Sequence, residues 1–236
     1  PNSDPRDGAR THELYAESLE VIRNAWTQEF FAHDGPNYPV PRPGTPWYPH
    51  ALAPADPAWS EDGIVTQHYL APKPLQQPHP PLWMVSDSDL SIQFAAEHGM
   101  KVILWQPPVE KLKERFEHYR KFRTGTEGKE FSLGEGVGLM RSVYVAPTME
   151  EARRDAERGI MHIYNWIHPP RRGLGMFMRP GEEPTADMHL DFDFLMERCL
   201  IVGSPEHVRE KIAELRDTLG LEHLLAWTNV PWLSQS

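Results

Sequence analysis

From residue 82 onward the chain alternates short apolar runs with amphipathic stretches, and that alternation limits what it can fold into. Leu82-Trp83-Met84-Val85 leads into a helical pattern with Ile92, Ala95 and Ala96 inward, stopped at Gly99. A buried-type strand follows at residues 100–106, closed by Pro107 and Pro108, and then a helix with Val109, Leu112, Phe116 and Tyr119 on one face. Residues 137–145 (VGLMRSVYV) read as the next strand. Thr148 and Glu151 form a capping box that opens a helix carrying Ala152, Ala156, Ile160 and Ile163. A short strand, LIVG, precedes a Ser204-Pro205 helix start and a stripe of Val208, Ile212, Leu215 and Leu219. Residues 221–230 (LEHLLAWTNV) form a last strand. Strands apolar on both faces need cover on both faces, so the pattern predicts an α/β fold with a parallel sheet and helices outside it.

The first third of the chain reads differently. Residues 1–10 are turn-rich, and a helix over 11–27 aligns Tyr15, Leu19, Ile22 and Trp26, with Glu13, Glu17 and Glu20 on its other faces. Residues 28–80 contain no convincing helix and are dense in Pro, His and aromatic residues. Loops of that length are functional or mobile in compact domains. Residues 123–136 form a Gly- and charge-rich loop, and residues 168–190 carry Gly, Pro, Met and Arg in place of any period. No fixed-period repeat is present, and the chain reads as a single domain over 1–236.

Charge and cysteine usage narrow the partners. A net charge of −10 argues against nucleic acid and against an anionic membrane surface, both of which select concentrated positive charge. No apolar run approaches a membrane span. A single cysteine, Cys199, gives no intramolecular disulfide or Cys-based metal site and fits a reducing cytoplasm. The 12 histidines fall into neither HxH nor HExxH spacing, so no metal site is expected. There is no G-x-S-x-G elbow, no P-loop and no G-x-G-x-x-G after a strand.

The turn after residue 85 is the first chemical candidate. Ser86-Asp87-Ser88-Asp89 lies between a strand and a helix, and in parallel α/β folds that corner is where ligands bind. Free N–H groups and the positive end of the helix dipole favour phosphate there, and Ser88 and Ser91 add hydroxyls. Ser and Asp are also ordinary helix caps, the more common role.

The same segment resembles the fifth strand and following turn of the bacterial-luciferase-like flavin monooxygenases, a TIM-barrel superfamily with a pattern near PP-x-[WY]-V-A-[ED]-S-x-x-[ST]. The resemblance assigns flavin-phosphate contacts to Asp87, where Glu is commoner, and to Ser88 and Ser91. Upstream, Trp26, Phe30, Gly35 and Tyr38, then Pro74, Gln77, Pro78, His79 and Pro80, match the family's extended segment, with an insertion between the two halves. Downstream the G-x-x-V-I-L strand, the R-S-V-Y-V-A-x-T-x-E-E-A run, the I-V-G-S-P-E-x-V turn and L-G-x-x-H-L follow in register. These imply a partial (β/α)8 barrel, about strands five to eight with surrounding helices and long loops. Half a barrel has open edges, so assembly with another copy, or membership of a longer chain, is expected, and the chain alone is expected to show little turnover.

In such a barrel the working residues sit where strands end. That nominates Trp105, Gln106, Trp227, Thr228 and Asn229 for the pocket, with core packing an even alternative for the tryptophans. The 168–190 segment lies where the family carries a lid. Its Arg171, Arg172 and Arg179 would then meet an anionic substrate or the flavin phosphate, although exposed arginines more often face solvent. Arg141, within a strand, is expected either to pair with a phosphate or carboxylate or to form a buried structural ion pair. The resemblance implies reduced FMN delivered by a separate flavin reductase, O2, and oxygenation of a small organic substrate. The alternatives are an F420-dependent dehydrogenase or reductase of the same superfamily and a non-catalytic flavin-binding protein.

Overall fold

The structure is a computed structural model that describes residues 7–48, 50–52, 54–168 and 173–233. The chain divides into two units, Pro1–Pro80 and Pro81–Ser236.

In the first unit the helix α1 spans Gly8–Thr27 and starts on Asp7, whose carboxylate accepts the Arg10 N–H at 3.0 Å. Its far end is closed by Lys73, whose Nζ donates to the Ala25 and Gln28 carbonyls at 2.9 and 2.6 Å, a cation at the negative end of the helix. The buried side chains are Leu14 and Leu19, whereas Tyr15 and Ile22 of the expected stripe are 38% and 42% exposed. The cause is Glu17, which faces inward. Its Oε1 accepts the N–H groups of Asn37 and Tyr38 at 2.9 and 2.7 Å, and the Asn37 amide donates to Oε2. A carboxylate satisfied by several donors holds the 33–38 segment against a face of α1 that the apolar pattern assigned to water. Within the long irregular stretch, β1 (Ser60–Glu61) and β2 (Ile64–Val65) form a hairpin around Asp62 and Gly63, both at positive φ (51° and 77°), as an Asp-Gly two-residue turn requires.

The second unit runs β3 (Trp83–Val85), α2 (Asp89–Glu97), β4 (Lys101–Trp105), α3 (Val109–Glu127), β5 (Val137–Val145) and α4 (Met149–Ile167). It continues through α5 (Leu174–Phe177), α6 (Phe192–Arg198), β6 (Ile201–Gly203), α7 (Pro205–Leu219) and β7 (His223–Trp227). Every pairing among β3 to β7 is parallel. The nine-residue β5 is the spine: β4 pairs with its first half, β7 with residues 138–142, and β6 with its last three residues. Caps read from the sequence hold in place, Thr148 accepting the Glu151 N–H at 3.1 Å and Ser204 that of His207 at 3.3 Å.

Three boundaries differ from the sequence pattern. The helix α3 continues through Glu127 and stops at Gly128 in a left-handed conformation (φ 68°), so the 123–136 loop is shorter than expected. Within 168–190 the turn of α5 inserts Phe177, fully buried, into a cluster with Tyr164, Phe192 and Leu195. The last strand ends at Trp227, because Val230 leaves the sheet to bury in that same cluster.

The two faces of the sheet are unlike. Val102, Leu104 and Leu139 are fully buried on the face that carries the helices. On the other face Trp83, Ile103 and Leu225 surround Gly138, while Val85 and Leu225 remain 61% and 36% exposed. Side chains alternate between faces along a strand, so Trp105, Met140, Ser142 and Trp227 share this second, open face.

Candidate functional site

Because the strands are parallel, their C-terminal ends lie along one edge of the sheet, and the nominated residues gather there. After β3 the chain turns through Ser86 and Asp87 to Ser88, the N-cap of α2. The Ser88 hydroxyl accepts the Ser91 N–H at 3.2 Å and lies 2.9 Å from the Ser91 hydroxyl. Capping is therefore what Ser88 does within the fold, and both hydroxyls stand at the positive end of the helix with Ser88 exposed to solvent. Asp87 is turned elsewhere. Its Oδ1 accepts from Arg115 Nη1 at 3.1 Å and from the Trp105 N–H at 3.4 Å. Burial pushes this carboxyl above its ordinary value, and the Arg115 guanidinium pulls against that rise. Asp87 thus ties the end of β3 to β4 and to α3.

Trp105 and Trp227 meet across the sheet with ring centroids 5.2 Å apart and planes inclined at 36°. The strands bearing them flank β5, with Trp105 opposite Met140 and Trp227 opposite Ser142. The Trp105 indole N–H is buried without a partner among the described residues. Next to it Gln106 is 1% exposed and holds a left-handed backbone (φ 61°), a conformation that non-glycine residues seldom adopt and that recurs at functional sites. The Gln106 Oε1 pairs with His168 Nε2, and the Gln106 amide nitrogen is buried with no acceptor among the described residues. An amide oxygen only accepts, so His168 carries its proton on Nε2. His168 closes the end of α4, packed edge-on against Phe177 at 5.3 Å. Burial lowers its pKa, with the Asp87 charge opposing, so the ring is neutral at pH 7.

The arginines are held by groups of the fold. Arg141 is 2% exposed and donates Nη2 to the Pro107 carbonyl at 2.5 Å, and no ion pair among the described residues includes it. It clamps the chain just past β4 from the helix face. Arg179 is bound by Glu197 at 2.8 Å and Glu110 at 3.3 Å, and its N–H by Glu182 at 2.9 Å. It is thus tied to carboxylates of the fold, where the lid expectation placed it toward an anionic ligand. Arg171 and Arg172 lie outside the described residues. Thr228 and Asn229 are exposed just past β7. The structure brings Asp87, Trp105, Gln106 and Trp227 to one edge, with Ser88 and Ser91 on the turn beside Asp87. It adds Arg115 and His168, which the sequence reading passed over. One basic residue among the six of α3 and one histidine among 12 carry no local signal.

Comparison with known proteins gives a consistent family and fold. The sequence profile of the luciferase-like monooxygenases matches residues 3–222. Among solved structures, the oxygenating constituent of 3,6-diketocamphane monooxygenase from Pseudomonas putida, in complex with FMN, aligns with 92% of this chain at 23% identity and TM-score 0.64. An F420-dependent secondary alcohol dehydrogenase in complex with an F420-acetone adduct aligns with 93% at 12% identity and TM-score 0.59. A long-chain alkane monooxygenase aligns with 98% at 16% identity and TM-score 0.56. The chain spans 54–56% of the length of these structures.

Proposed function

The chain belongs to the luciferase-like monooxygenase family of flavin-dependent oxidoreductases, and on that premise we propose that it contributes a reduced-FMN site for oxygenation of a small organic substrate. The observation that carries this reading is the pair of buried donors without acceptors among the described residues, Trp105 Nε1 and Gln106 Nε2, at the C-terminal edge of the sheet. A buried donor left unpaired costs about 1–3 kcal/mol, and the pyrimidine edge of an isoalloxazine ring is rich in the acceptors that would relieve it. The residues therefore fit the group. Ser88 and Ser91, at the N-terminus of α2, would hold its phosphate, and Asp87 with Arg115 would fix the turn that presents them. Trp105 and Trp227 would wall the ring, and Asn229 would lie at the rim.

A reduced flavin bound there supplies the electrons with which O2 is activated. The chain's own part is placement. His168 orients the Gln106 amide, the tryptophan pair keeps water from the ring, and Arg141 fixes the Pro107 carbonyl that follows. A separate flavin reductase would deliver the reduced cofactor, and a homo-oligomer is the expected assembly.

Anaerobic titration with reduced FMN, and in parallel with reduced F420, tests the proposal before oxygen is admitted. Saturable FMN binding is expected, weakened about a hundredfold or more in the S88A/S91A double variant, since each of the two lost hydrogen bonds to a charged group is worth about 1.5–3 kcal/mol. Oxygen should then be consumed with kinetics unlike those of free reduced FMN. Preference for F420 with no oxygen uptake moves the chain to hydride transfer, and binding of neither cofactor ends the reading.

A further inference from the structure

The face of β5 opposite the tryptophan pair carries a second feature. A cavity of about 250 Å³ lies between the start of α3, the end of α6 and the middle of α7. Arg141 lines it, and while its Nη2 is spent on the Pro107 carbonyl, its Nη1 is buried with no partner among the described residues. Arg198 lines it too. Its terminal nitrogens bind Glu182 at 2.8 and 3.1 Å, and its Nε is likewise buried without a partner among the described residues. The 19-residue α3 begins at the same cavity with Pro108 as N-cap, which offers no side-chain acceptor to the N–H groups of the first turn.

Among the described residues no ion pair includes Arg141. At its edge Arg179 is matched by Glu110 and Glu197, and Lys211 by Glu214 at 3.0 Å. Of the groups acting on Arg141 only the Asp87 carboxylate is a counter-charge, and it forms its ion pair with Arg115. Burial pushes the Cys199 thiol up to about 11 and the Tyr164 phenol well above its ordinary value, so both are neutral at pH 7. A guanidinium remains charged when buried, and unpaired burial of a full charge is disfavoured unless an anion completes the site.

We propose that this cavity binds a small oxyanion, a phosphate or carboxylate group, through Arg141 Nη1, Arg198 Nε and the first-turn N–H groups of α3. Each orphaned group is a donor, and the two guanidiniums and the helix terminus all favour negative charge. The site lies on the helix face of the sheet and is separate from the turn at Ser88.

Calorimetric titration of the S88A/S91A double variant with inorganic phosphate isolates the cavity from that turn. One saturable phosphate site is expected to remain. Adding R141M should weaken it at least tenfold, and adding K211M two- to fivefold. Acetate in place of phosphate distinguishes a carboxylate site from a phosphate site, and potassium chloride at equal ionic strength is the control. The proposal is overturned if no saturable binding remains in S88A/S91A, if chloride gives the same response, or if R141M binds like its parent. Should R141M not fold, R198K carries the same test. It keeps a cation opposite Glu182 but removes the Nε–H, so undiminished phosphate binding in R198K also overturns the proposal.

Discussion

Gln106 lies just past β4 in a left-handed conformation with its side chain sealed from water, and its side-chain partner among the described residues is His168. That partnership makes a pH-dependent element of the site. Burial depresses the His168 pKa in the folded chain, so between that value and the ordinary histidine value of about 6.5 the unfolded chain binds the proton and the folded chain does not. Stability therefore rises with pH across this window. It is fully present above about pH 6.5, is lost as pH falls below that value, and stops falling once the folded His168 itself protonates. Urea unfolding at several pH values between about 5 and about 7 should show this slope, and H168Q should flatten it. An unchanged slope in H168Q would place the titration elsewhere. Neither residue was legible as a pair, because they stand 62 positions apart and no local pattern links them. Arg115 and Asp87, 28 apart, were hidden for the same reason. Ser88 was legible, since a cap is written within a few residues of the helix it starts.

At the scale of elements, α4 illustrates where periodicity succeeds and where it stops. The apolar stripe expected from Ala152, Ala156 and Ile160 is buried as read, but it continues through Tyr164 instead of Ile163 and passes over Gly159. Glycine inside a helix costs about 1 kcal/mol relative to alanine, so propensity alone says G159A stabilises the chain. The structure gives the opposite sign. A Cβ on Gly159 would lie 2.5 Å from Val230 Cγ1 and 2.6 Å from the Pro231 carbonyl oxygen, and the backbone oxygen cannot simply rotate away. Overpacking of this kind costs about 1–3 kcal/mol. G159A is therefore expected to lower the urea midpoint and to loosen the segment after β7, and a rise in the midpoint would show that the segment yields freely. The same limit explains α1 and α7. Tyr15, Ile22 and Ile212 had the right spacing but are more than a third exposed, because which face is covered depends on partners such as the 33–38 segment on Glu17. Strand order could be anticipated from the β–α alternation, whereas the three-way pairing of β5 could not, since it depends on where β6 and β7 end in space.

For the whole molecule, the family and the partial-barrel α/β fold were legible because the markers run in register along nearly all of the chain, and the profile match over residues 3–222 agrees with them. Net charge is legible too, and it bears on how an anionic cofactor arrives. The chain carries −10 overall, while the phosphate proposed for the Ser88 turn is itself negative, so the long-range field opposes approach even though the helix terminus and hydroxyls attract at contact. The range of that repulsion is set by salt, with a Debye length of about 30 Å at 0.01 M and about 8 Å at 0.15 M. Raising ionic strength between those values should therefore increase the association rate of FMN, by roughly two- to fivefold for a charge product of this sign. Riboflavin lacks the phosphate and should show no such dependence, which separates field effects from any effect of salt on the fold. Stopped-flow quenching of tryptophan fluorescence reads both rates. An FMN rate that falls with salt would mean that local positive charge near the site, Arg115 foremost, outweighs the net charge and steers the cofactor in. In that case R115M should abolish the salt dependence, and the acidic balance of the whole chain would have no part in cofactor capture.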